Sequence, residues 1–104
     1  MRLSLRPYDG EMYLCKTREE YARTHKRLWK EPAIDLTHNK GRMDGRWSAS
    51  GGGVYLVWAV DKERLAHEIA HVILHVFQRA GIDPREANGE PFCYMLSQLM
   101  LDAR

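Results

Sequence analysis

The apolar and polar positions divide the chain into short strands and amphipathic helices. Arg2-Leu3-Ser4-Leu5-Arg6 alternates polar and apolar, as a half-buried strand does. Pro7-Tyr8-Asp9-Gly10 is a turn signal, and Glu11-Met12-Tyr13-Leu14-Cys15 reads as a second short strand. Thr17 with Glu20 three residues on forms a capping box, so a helix is predicted over Arg18 to Lys30. Its inward face carries Tyr21, His25, Leu28 and Trp29, and Glu31-Pro32 ends it. Residues 33–45, with Asn39-Lys40-Gly41-Arg42 and Asp44-Gly45, read as a loop. Arg46–Ser50, the glycines Gly51-Gly52-Gly53 and Val54–Val60 read as a hairpin, whose second strand is apolar on both faces.

Asp61 is a natural N-cap for a long helix over Lys62 to Ala80. Leu65, Ile69, Val72, Ile73, Val76 and Phe77 give this helix a broad apolar stripe. Gly81 suits its C-terminus, and Pro84 follows beyond it. A last helix is predicted over Glu90 to Asp102, capped by Asn88, with Pro91 in its first turn. Phe92, Met95, Leu96, Leu99 and Met100 form its inward face.

The 104 residues fit a single domain, 1–104, with no repeat and no low-complexity segment. Hydrophobic residues make up 44% and charged residues 29%, a globular balance. No apolar run approaches the 18 or so residues of a membrane span, and the N-terminus lacks a secretory pattern, so a cytoplasmic protein is expected. Cys15 and Cys93 are too few and too far apart for a disulfide framework, which suits reduced thiols. The net charge of +2 is uneven: residues 1–46 hold eleven Lys and Arg against seven Asp and Glu. The first half therefore suits an acidic partner, nucleic acid included, without demanding one.

The chemistry lies in the long helix, in His67-Glu68-Ile69-Ala70-His71. Histidines four apart stack on one helix face, where both imidazoles can reach one Zn²⁺. Glu68, beside the first of them, can take a proton from an attacking water. The bland alternative is a packed helix that happens to carry these residues. A hydrolytic zinc needs a third protein ligand, and Glu90, Cys93 and His75 compete for the place. His75 would lie about 12 Å along the axis from His67, too far to share a metal with it on a straight helix. It could instead border the site or donate to an oxyanion, as could Tyr94. Thiolates such as Cys93 are commoner in closed structural sites. Glu90 begins the last helix, which a short connection could fold back on the first, and its carboxylate would complete a His₂Glu set. His25 and His38 suit packed or surface positions better than ligation, and Trp47, Tyr55 and Trp58 suit the core or a groove edge.

A strand, the His67–His71 helix, a turn and a second helix opening with Asn88-Gly89-Glu90-Pro91-Phe92-Cys93-Tyr94 resemble the core of a gluzincin-type metallopeptidase. The likeness is to the very small zincin-like proteins encoded by phages and prophages, and it covers about residues 54–102. It implies one zinc per chain held by His67, His71 and Glu90, with Glu68 as general base. It also implies that Val54, Tyr55, Leu56, Val57 and Trp58 belong to the edge strand along which a peptide substrate lies. The further substrate-binding and oxyanion-stabilising residues of larger gluzincins have no counterpart here. The expected fold is α+β: a small, mainly antiparallel sheet with an N-terminal helix, the zinc helix and a C-terminal helix. The expected function is zinc-dependent peptide hydrolysis. The alternative is a zincin-like scaffold that binds a host protein or nucleic acid, with structural zinc or none.

Overall fold

The computed structural model describes residues 1–47 and 52–103. Four strands, β1 (Arg2–Ser4), β2 (Gly10–Cys15), β3 (Gly41–Trp47) and β4 (Gly53–Ala59), form one sheet in the order β1-β2-β4-β3. The outer pairings, β1 with β2 and β3 with β4, are antiparallel, while β2 and β4 run parallel. The sheet is therefore mixed, in a small α+β domain with three helices, α1 (Arg18–Trp29), α2 (Lys62–Ala80) and α3 (Glu90–Asp102). The parallel pair follows from the connection: α1 and β3 intervene between β2 and β4, giving the crossover that parallel strands require.

Helices cover both faces of the sheet, which explains why β4 is apolar on both sides. Tyr55 and Val57 pack with Ile69, Val72, Ile73 and Val76 of α2 and with Met95 and Leu99 of α3. Leu56 and Trp58 face the other way, with Tyr21 of α1, Cys15 and Leu36. Burying each such side chain contributes roughly 1.5–3 kcal/mol relative to exposure, so the two layers hold the sheet from either side.

Local signals set the helix ends of α1 and α2. The Thr17 hydroxyl accepts from the Glu20 amide at 3.0 Å, and the Glu20 carboxylate reaches back to the Lys16 amide at 2.9 Å. The Asp61 carboxylate accepts from the Arg64 amide at 2.8 Å, and Gly81 closes α2 at φ 73°. The start of α3 differs from expectation. Asn88 makes no side-chain cap; Ala87, Asn88 and Gly89 stand at φ 51°, 58° and 78°, a left-handed run that turns the chain directly into Glu90.

Two further expectations are corrected. The predicted loop 33–45 gives up its last residues to β3, which begins at Gly41. Its apolar alternation is masked because one face places Gly41 and Gly45 beneath larger side chains, while the other carries Arg42 and Asp44. The segment Val54–Trp58 is not an edge: β4 is flanked by β2 and β3, so the edge strand on that side is β3. The predicted turn at Gly51-Gly52-Gly53 and the strand end at Ser48–Ser50 fall largely outside the described residues.

Candidate metal centre

The capped, uninterrupted α2 presents one side to the sheet and leaves His67 and His71 exposed on another. Their Nε2 atoms stand 3.2 Å apart, with ring centroids at 4.8 Å and planes at 78°. Two imidazole nitrogens on one tetrahedral zinc, each at 2.0–2.1 Å, would lie about 3.3 Å apart, so the observed separation is that of two ligands. The same spacing also permits a ring-to-ring hydrogen bond when one nitrogen carries a proton and the other does not.

Glu68 turns from the histidines toward β3 and is buried, 8% exposed. It lies against the strand at Gly41, where a Cβ would come within 3.0 Å of its Oε2 and 3.2 Å of its Cγ. Glycine at this position lets the carboxylate lie against the edge strand. Among the described residues Glu68 forms no ion pair. It opens, with His71, onto a pocket of about 280 Å³ also lined by Asn39, Gly41, Arg42 and Met43. On the other side of the pair, His67 borders a second pocket of about 400 Å³ with Lys40, Asp61, Glu63 and Arg64. Sequence reasoning missed Asn39, Lys40 and Gly41, because a glycine and its polar neighbours read as a turn until strand pairing is known.

The 36–40 segment that completes these pockets is tied down from α1. The Arg18 guanidinium donates to the carbonyls of Leu36 and Asn39, both at 2.9 Å, and lies 4.5 Å from the centre of the Trp58 ring. Lys40 is held by the amide of Val60, which donates to its carbonyl at 2.8 Å. Beneath the same strand, Asp44 takes both arms of Arg42 at 2.9 and 3.0 Å and the Tyr21 hydroxyl. Burial would raise the Asp44 carboxyl, but the hydrogen bonds from Arg42 and Tyr21 outweigh it, so the group lies below its ordinary value.

The other expected site residues lie elsewhere. His75 packs edge-on against Tyr55, ring centroids 6.3 Å apart. The Tyr55 hydroxyl is buried without a partner among the described residues, and burial pushes its pKa up to about 12. Glu90 and Tyr94 line a different cavity, of about 700 Å³, together with Ser4, Arg6, Pro7 and Tyr8 beside β1. Because β1 and β3 are opposite edges of the sheet, the structure does not bring Glu90 to the histidine pair. Tyr94 is 74% exposed, and Cys93 is exposed on the same helix. His25 is buried between Tyr21 and Trp29, its Nδ1 2.9 Å from the Glu31 carbonyl. His38 is exposed. Among the described residues no group of three His, Cys, Asp or Glu is placed to hold a metal. His67 and His71 thus fit two positions of a zinc site, and Glu90 as placed does not supply the third.

Comparison of the chain with protein-family models, with curated proteins and with solved structures finds no match in any of the three. No helix among the described residues is long and apolar enough to cross a membrane.

Proposed function

We propose that this chain is a zinc-dependent hydrolase of peptide bonds, with His67 and His71 as metal ligands and Glu68 as general base. The observation that carries this reading is the 3.2 Å approach of the two Nε2 atoms, with the Glu68 carboxylate in the adjoining pocket. A zinc bound there would polarise a carbonyl and acidify water. Glu68 would take the water's proton on a carboxylate oxygen, and Gly41 keeps that carboxylate close to the strand. Among the described residues the outer side of β3 is a free edge, so an extended peptide could lie along it past Glu68 and His71. His75, one turn beyond His71, is the candidate to border the bound peptide.

A second reading is a zincin-like scaffold without hydrolysis, which binds a host protein or nucleic acid. It is favoured by one observation, that no third metal-binding side chain joins the histidines among the described residues. Incubation of the zinc-loaded protein with a proteome-derived peptide mixture separates the two. The hydrolase should cleave, and Glu68→Gln should lower the rate by about 10²–10⁴-fold while keeping the fold and the metal. No cleavage by the unaltered protein would hand the reading to the scaffold.

A further inference from the structure

On the sheet face opposite the histidines, α1 carries a feature that peptide hydrolysis does not use. Arg23, Lys26 and Arg27 are exposed, and Lys30 follows just past the helix end. The spacing i, i+3, i+4, i+7 puts all four on one side of the helix. The acids of α1, Glu19 and Glu20, are confined to its first turn, and Glu20 is spent on the Lys16 amide. Arg23, Lys26 and Arg27 form no ion pair among the described residues. The macrodipole accounts for cations in the last turn, Lys26 and Arg27, but Arg23 stands a turn earlier. Arg27 lies over the Tyr13 ring at 5.7 Å, and the Lys30 ammonium caps the Arg27 carbonyl at 3.1 Å. The helix beneath is fixed by burial of Tyr21, Thr24 and His25.

From this we propose that the basic side of α1 binds the phosphodiester backbone of nucleic acid. The stripe favours that partner over two other anionic ones. A protein interface is anchored by buried aromatic or aliphatic side chains, and a membrane-surface helix needs an apolar face to insert. None of the exposed large hydrophobic residues lies on α1. A row of exposed cations with no apolar anchor binds by releasing counterions, independent of sequence.

The test is fluorescence anisotropy with a labelled DNA duplex of arbitrary sequence across a salt series. Binding should be sequence-tolerant and, at physiological salt, in the range of about 10⁻⁴–10⁻⁶ M. The logarithm of affinity should fall with the logarithm of salt with a slope of about −3 to −4, at −0.9 for each neutralised phosphate. Arg23→Gln, Lys26→Gln and Arg27→Gln should each bring the slope nearer zero by about one, and together they should abolish binding. All three sites are exposed, and thermal melting of each variant checks that the fold is intact. Lys62→Gln, on α2 across the sheet, should leave the slope unchanged. The proposal is overturned if the unaltered protein shows no salt-dependent binding, if the triple variant binds as well as the parent, or if Lys62→Gln matches the α1 variants. Tighter binding to poly-glutamate or to phosphatidylserine vesicles than to DNA also overturns it.

Discussion

Helices α2 and α3 lie on the same face of the sheet, and both carry residues that the sequence marks for one metal. In α2 the two histidines are four residues apart on a helix whose ends are fixed by Asp61 and Gly81, so their approach to 3.2 Å is a local consequence of helix geometry. In α3, Glu90 follows three residues at positive φ and points into a cavity beside β1. Nothing within the helix decides where that carboxylate goes. Spacing within one element can be read from sequence, whereas spacing between elements depends on a turn whose conformation the residue types do not announce.

The largest effect is expected at Gly41, where the α2 site depends on a second element. An added Cβ would meet Glu68 Oε2 at 3.0 Å, so Gly41→Ala should displace the carboxylate. A misplacement near 1 Å can cost about 10²-fold in rate, so a shift of a few tenths of an ångström should lower peptide hydrolysis by up to about 10-fold while zinc binding is retained. Unchanged hydrolysis would show that Glu68 does not work from the position it holds against β3.

A smaller effect is expected at Asp44, under the same strand. Losing hydrogen bonds to a charged partner should cost about 1–3 kcal/mol at neutral pH in Asp44→Asn, read as a lower melting temperature. Because the folded carboxyl lies below its ordinary value, its stabilisation is complete above the unfolded pKa and is lost as pH falls through the folded one. The parent should therefore lose melting temperature below about pH 5 more steeply than the variant. Parallel curves would mean that Asp44 contributes nothing through its charge.

The smallest effect is expected in the turn before α3. Ala87 stands at φ 51°, a region that costs a residue with a side chain about 1–2 kcal/mol. Ala87→Gly should relieve that strain and, after the added freedom of the unfolded chain, raise stability by about 0.5–1 kcal/mol in denaturant titration. Destabilisation would show that the left-handed turn before Glu90 is not the native one.

The same contrast explains how far the sequence could be read. The capping box at Thr17, the cap at Asp61, the apolar stripe of α2 and the two-sided burial of β4 all follow from short-range patterns, and the structure has them. Only the end of strand β3, Arg46 and Trp47, is legible as the hairpin partner of β4, because Gly41-Arg42-Met43-Asp44-Gly45 reads as a turn. Its glycines make room for Glu68 and the Tyr55 ring, and its Asp44 answers Tyr21, twenty-three residues away in sequence. Residues 54–58 read as an edge because nothing in them shows that β2 pairs on the side away from their hairpin partner. Asn88 read as a cap because asparagine serves in caps and in left-handed turns alike, and residue type does not separate the two.

Calorimetric titration of metal-free protein with zinc decides whether His67 and His71 form a zinc site. The unaltered chain should bind one zinc, and His67→Ala and His71→Ala should each abolish that binding. With Glu90 where the structure places it, Glu90→Ala should change affinity by less than the roughly 10-fold that even a residue supporting a ligand typically costs. A loss in Glu90→Ala equal to that of the histidine variants would mean that α3 meets the metal after all. Zinc binding by both histidine variants at the parent's affinity would mean that His67 and His71 are not metal ligands.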